Sequence, residues 1–152
     1  MKIKNVSLLV LFLSAIMLFA SCGKEEVEVI VDPTLPQGTF TLAKTGSIVE
    51  ENGTKSKGTV TLGTDSKGTQ FVRFGTDFET KLSSGTVTVY LSTSSVFKAN
   101  AGAGNPDLRL IGQITKNGEK YFLLDPKADG KFTHLILWCA TAAIPFGNAK
   151  LM

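Results

Sequence analysis

The 152-residue sequence predicts an all-β protein: a single β-sandwich or barrel-like domain of about eight or nine short strands, preceded by a leader and a tether. Three observations predict it. From Gly38 onward, short runs of Thr, Val, Ile, Leu and Phe alternate with clusters of Gly, Asn, Asp and Lys, the pattern of strands interrupted by turns. No stretch of that region carries an apolar stripe with the 3.6-residue period of a helix. Its length is that of one domain.

The elements follow in order. Residues 39–43 alternate and open the domain, and residues 59–62 and 70–74 alternate again. Between the last two lies Gly63-Thr64-Asp65-Ser66-Lys67-Gly68, a hairpin connection whose glycines supply positive φ. Residues 86–92 form the cleanest strand, with Val87, Val89 and Leu91 on one face and Thr88 and Tyr90 on the other. Residues 99–106 are small and aperiodic, an exposed loop. Residues 108–114 and 120–124, joined by Lys116-Asn117-Gly118-Glu119, read as a second hairpin. Residues 132–139 are apolar on both parities, as in a central strand buried on both faces. Residues 144–151 close the domain.

The N-terminus reads as an address. Lys2 and Lys4 form a basic start, and residues 6–19 are apolar apart from Ser7 and Ser14. That run is short for a membrane span, which takes about 20 residues, but it suits a secretory leader. Leu18-Phe19-Ala20-Ser21-Cys22 resembles the bacterial lipobox, after which the cysteine becomes residue one and carries acyl chains such as palmitate. Residues 1–21 are therefore expected to be a lipoprotein signal peptide and residues 22–37 a lipidated tether, with Cys22 holding the chain to a membrane. The competing expectation is an ordinary signal peptide cut elsewhere, with Cys22 a plain thiol. Gly23-Lys24-Glu25-Glu26 is similar to a surface-export signal of one Gram-negative phylum, and equally to a solvated linker. Position 23 is not Asp, so one inner-membrane retention cue is missing. The expected location is the outer membrane, with the cell surface preferred to the periplasmic side.

Composition excludes some functions. The 16 Lys+Arg against 13 Asp+Glu include Lys2 and Lys4, so the mature chain is close to neutral. It has no basic cluster and no expected nucleic-acid partner. With Cys22 lipidated, Cys139 is the one remaining thiol and no intrachain disulfide can form. On its strand Cys139 shares a face with Leu137 and Leu135, whereas Trp138 shares the other with Ile136 and His134. A buried thiol in apolar surroundings is inert. His134, the only histidine, lies on the opposite face from Cys139, and the two do not make a zinc set, which takes three or four ligands. Asp125-Pro126-Lys127-Ala128-Asp129-Gly130 lacks the ligand spacing of a calcium loop and reads as a turn. No Gly-x-Ser-x-Gly and no Cys-x-x-Cys is present.

Trp138-Cys139, followed by Ile144, Phe146-Gly147, Ala149 and Leu151, resembles the closing signature of the DM-thirteen, or electron-transfer DM, domain family. Val89-Tyr90-Leu91-Ser92 is similar to that family's central strand and Asp77-Phe78 to the step before it. Gly112, Gly118 and Tyr121 resemble its later hairpin, and Gly38 and Phe40 its opening, so the resemblance covers nearly all of residues 38–152. The chain departs from the pattern at Ala142, where the family usually has an aromatic, and at Ser84-Gly85-Thr86, where it often has Gly-Pro-Asp.

The resemblance implies a β-sandwich-like domain, often found beside cytochrome-type domains, with a redox role at Cys139 beside Trp138. A single thiol cannot cycle alone; it needs a partner thiol, a sulfenic-acid step, or a bound metal or haem. No cofactor-binding motif is evident, so the role would call for an unidentified redox cofactor or redox-protein partner. Two readings stand. One is a membrane-anchored lipoprotein with an electron-transfer or thiol-redox domain. The other is a non-catalytic binding or adhesion module of the envelope in which Cys139 is a buried structural residue. The absence of a catalytic constellation makes an enzyme the less expected outcome.

Overall fold

The computed structural model describes residues 31–99 and 104–152. The expected signal peptide, Cys22 and the first part of the tether lie outside them, as does the middle of the 99–106 loop.

Nine strands are present among the described residues: β1 (Thr41–Ser47), β2 (Val49–Glu50), β3 (Thr59–Thr64), β4 (Gln70–Phe74), β5 (Val87–Ser92), β6 (Leu108–Ile114), β7 (Lys120–Leu124), β8 (His134–Cys139) and β9 (Ile144–Lys150). A 3-10 turn, Leu82–Ser84, precedes β5. The strands form two sheets, ordered β1-β3-β4-β7 and β2-β9-β8-β5-β6. Every pairing is antiparallel. The expected all-β, sandwich-like architecture is what the chain forms.

Alternation sends one face of each strand inward. β5 contributes Val87, Val89 and Leu91 and β8 contributes Leu135, Leu137 and Cys139, all fully buried in one core. The four-stranded sheet answers with Val60, Leu62, Val72, Phe74, Phe122 and Leu124. Phe74 packs on Phe78 at 4.5 Å between ring centroids and on Phe122 at 5.8 Å. Each such side chain contributes roughly 1.5–3 kcal/mol through burial, which is why two thin sheets hold together.

The outer face of the four-stranded sheet has its own small cluster. Tyr121 lies edge-on to Phe40 and Phe71, with the Arg73 guanidinium 5.8 Å from its ring.

One expectation fails. β6 and β7 are consecutive but do not pair: β6 is an edge of the five-stranded sheet, bonded to β5, and β7 an edge of the other, bonded to β4. The turn at residues 115–119 is a corner between sheets, not a hairpin. Its anchor is the Gly118 N–H, which donates to the Phe78 carbonyl at 2.8 Å. Turning the corner lets Ile114 and Phe122 reach the shared core from opposite layers.

At the other side Ile48 alone separates β1 from β2, so the chain passes from one sheet to the next in a single step.

The sandwich has two distinct ends. At one lie the start of β1, the β3–β4 turn and the β5–β6 and β7–β8 connections. At the other lie the β2–β3 loop, the 115–119 corner and the β8–β9 turn.

The described end of the expected tether is docked at the first end. Leu35 N–H closes a turn on the Asp32 carbonyl at 3.2 Å. Asp65 in the β3–β4 turn then accepts the Gln37 N–H at 3.0 Å.

Candidate functional site

Cys139 ends the central strand β8, paired with Val87 on one side and Ile144 on the other. It is 0% exposed. Its Sγ accepts the Ala142 N–H at 3.4 Å, and its carbonyl accepts the Ala143 N–H at 2.9 Å. The covering turn, residues 140–143, is made of Ala140, Thr141, Ala142 and Ala143, all exposed. Ala143 sits at φ 54°, a conformation that costs a non-glycine residue free energy. Ala142 stands where a larger aromatic was expected from the resemblance, so on this side the thiol lies beneath one short turn of small side chains.

Phe146 follows from a bulge. In the β8–β9 ladder Leu137 faces Gly147 and Trp138 faces Pro145, leaving Phe146 as the extra residue. The bulge admits Pro145, which has no N–H for the ladder. It turns the Phe146 ring into the core at 1% exposure, while the Phe146 carbonyl accepts the Glu51 N–H at 3.1 Å and the Thr54 hydroxyl at 2.6 Å. At Gly147 a Cβ would meet the Val49 carbonyl at 2.7 Å, so only glycine lets β2 lie this close. The Phe-Gly-x-Ala-x-Leu tail is thereby explained in full, since Ala149 and Leu151 are also core.

The structure does not bring His134 to Cys139. His134 begins β8 and faces Ser92 and Lys150 across the ladder, at the far end of the strand. Burial, together with the Lys150 charge, pushes its imidazole below the usual histidine pKa. No group of three or more His, Cys, Asp or Glu positioned to hold a metal occurs among the described residues.

Trp138 points the other way, to the outer face of the five-stranded sheet. Phe97, from the β5–β6 connection, stacks on it at 3.9 Å and 14°. Tyr90 meets Phe97 edge-on at 5.1 Å. In the groove that Trp138 and Phe97 line, Glu51 accepts the Asn148 side-chain N–H at 2.8 Å. Parity in the sequence separates Tyr90 from Val89 and Trp138 from Cys139, on opposite faces of their strands. Phe97 lies on a loop with no period, and Glu51 and Asn148 are brought together from opposite ends of the domain, so no local signal marks them.

The fold and this site define a β-sandwich module that carries one buried thiol at the end of its central strand. The Electron transfer DM13 family model matches residues 48–151, more than half of the chain, and the chain belongs to that family. The matched segment begins at Ile48, after β1, and ends at Leu151. No curated protein and no solved structure matches the chain.

Proposed function

We propose that this chain is an envelope lipoprotein that presents an electron-transfer module, with Cys139 as its redox residue. Family membership carries the reading, because the match closes on the strand pair that holds Trp138-Cys139 and the Phe-Gly tail. In this proposal residues 1–21 are the signal peptide, Cys22 bears the lipid, residues 22–37 tether the domain, and residues 38–152 are the module. The location is the outer membrane, with the cell-surface side preferred.

The geometry sets a condition on that chemistry. A thiol with no exposed surface meets a partner only when the 140–143 turn opens. The exchange is then with a dithiol/disulfide protein: the Cys139 thiolate forms a bond to one partner sulfur, the partner's S–S bond breaks, and the leaving thiolate takes a proton. A reduced dithiol of a second protein then attacks the Cys139 sulfur of this mixed disulfide and releases the first partner with both thiols reduced; its own second thiol frees Cys139 and closes its disulfide, so two electrons pass from the second protein to the first.

A second reading is favoured by the complete burial of Cys139 among Val87, Leu137 and Phe146. In it the cysteine is core and the domain is a non-catalytic binding module.

Thiol labelling of the full chain carrying Cys22→Ser separates the two. The redox reading expects labelling under native conditions at a rate that low urea leaves unchanged, the mark of a local opening. It also expects Ala142→Gly to raise that rate about fivefold by loosening the turn. Labelling that tracks global unfolding ends the redox reading and leaves the structural one.

A further inference from the structure

The outer face of the five-stranded sheet holds a groove of about 310 Å³ to which neither thiol reading assigns a role. One wall is apolar, formed by the stacked Trp138 and Phe97 rings with Val96 beside them. The rest of the lining is formed by Glu51, Asn148, Ser95 and Pro145, the last of these the ladder neighbour of Trp138. We infer that this groove binds a neutral saccharide, one pyranose ring covering the aromatic wall while its hydroxyls bond to the Glu51–Asn148 pair.

Three features select that ligand class. The two parts of the lining differ in kind, as the faces of a sugar do: C–H groups above and below the ring, hydroxyls around its edge. An apolar pocket with a few fixed polar groups is the usual form of a small-molecule site.

The polar part is held in advance. The Glu51 N–H is bonded to the Phe146 carbonyl at 3.1 Å, and Asn52 donates its side-chain N–H to the Pro145 carbonyl at 2.7 Å. The Glu51–Asn148 bond fixes both side chains, and a carboxylate and an amide each keep further hydrogen-bonding capacity beyond one contact.

Charge removes the anionic competitors. No Lys, Arg or His lines the groove, so a phosphate, sulfate or uronate would find no counter-charge. A cation sandwiched between the two rings is excluded, because Trp138 and Phe97 are already in contact at 3.9 Å; a cation over the outer ring face beside Glu51 is the competitor that the lysine-rich peptide tests.

Trp138 is the only tryptophan of the chain, so its fluorescence reports this groove alone. The full chain is titrated with neutral hexasaccharides of glucose, mannose and N-acetylglucosamine, and with a lysine-rich peptide. At least one saccharide is expected to give a saturable change in emission. By calorimetry, Phe97→Ala and Glu51→Ala are each expected to weaken that binding about tenfold, with thermal unfolding confirming that both variants fold. The inference is overturned if no saccharide gives a saturable change, if only the peptide does, or if both folded variants bind as tightly as the parent chain. A redox-inactive Cys139 leaves it untouched.

Discussion

Asp65 is a buried carboxylate whose burial opposes its charge. Hydrogen bonds win. Its Oδ1 accepts the Lys67 and Thr69 N–H groups at 2.9 and 2.8 Å, its Oδ2 accepts the Gln37 N–H at 3.0 Å, and together they hold its pKa below the usual aspartate value. The sign follows from linkage: a depressed folded pKa gives stability that is present above the unfolded value of about 3.9 and lost as pH falls through the folded one. Chemical denaturation of Asp65→Asn should therefore show lower stability at neutral pH and a weaker loss on acidification than the parent chain. An unchanged acid slope would refute the assignment. Gly46 makes a different residue-scale case. A Cβ there would collide with the Lys150 carbonyl oxygen, where β1 passes the end of β9. Backbone cannot yield as a flexible side chain does, so Gly46→Ala should cost about 1–3 kcal/mol in urea unfolding.

At the scale of the element, β8 decides what Cys139 can be. Its neighbours β5 and β9 cover both edges, and Leu135, Ile136 and Leu137 are fully buried. Cys139→Ser puts a hydroxyl in place of a small apolar group, and should destabilise the domain by about 1–3 kcal/mol, whereas Cys139→Ala should cost less. If the serine variant unfolds at the same urea concentration as the parent chain, the site is wetter than its 0% exposure implies.

The connection between β2 and β3 rests on a buried hydroxyl chain, in which Ser56 Oγ lies 2.9 Å from Thr54 Oγ1 and 2.7 Å from Thr80 Oγ1. Ser56→Ala removes the middle of that chain and should cost about 1–3 kcal/mol by the same measurement. Much of β5 could be read in the sequence, because one buried face imposes a period of two; in β8, apolar on both parities, counting along the strand put Cys139 and Trp138 on opposite faces, but the expected burial of both faces fails at His134 and Trp138, which are half-buried. The bulge at Phe146 could not be read, since an extra residue shifts the parity without altering composition. Nor could the partners of β6 and β7: alternation gives each strand an inner face but does not name the sheet it joins.

For the whole molecule, the two ends of the sandwich carry different things. The chain enters at Gln37–Thr41, beside the Asp65 turn, and Cys139 with its covering turn lies at the opposite end. The six residues of β8 put roughly 20 Å between those ends. If residues 22–37 tether the domain as proposed, the docked turn at residues 32–36 leaves about ten residues between Cys22 and the domain, a span of no more than roughly 33 Å when extended. Anchoring through Cys22 would then hold the Asp65 end toward the lipid and offer the 140–143 turn, with the Trp138 groove beside it, to whatever approaches from solution. This orientation can be measured on vesicles that carry an energy-transfer acceptor on their headgroups. Donor dyes go on Lys67→Cys at the near end and Lys116→Cys at the far end, both exposed positions of the lipidated chain. Transfer should be clearly stronger from position 67. Equal transfer would mean the domain tumbles freely on its tether, and stronger transfer from position 116 would turn the module over and bring the Cys139 end against the membrane.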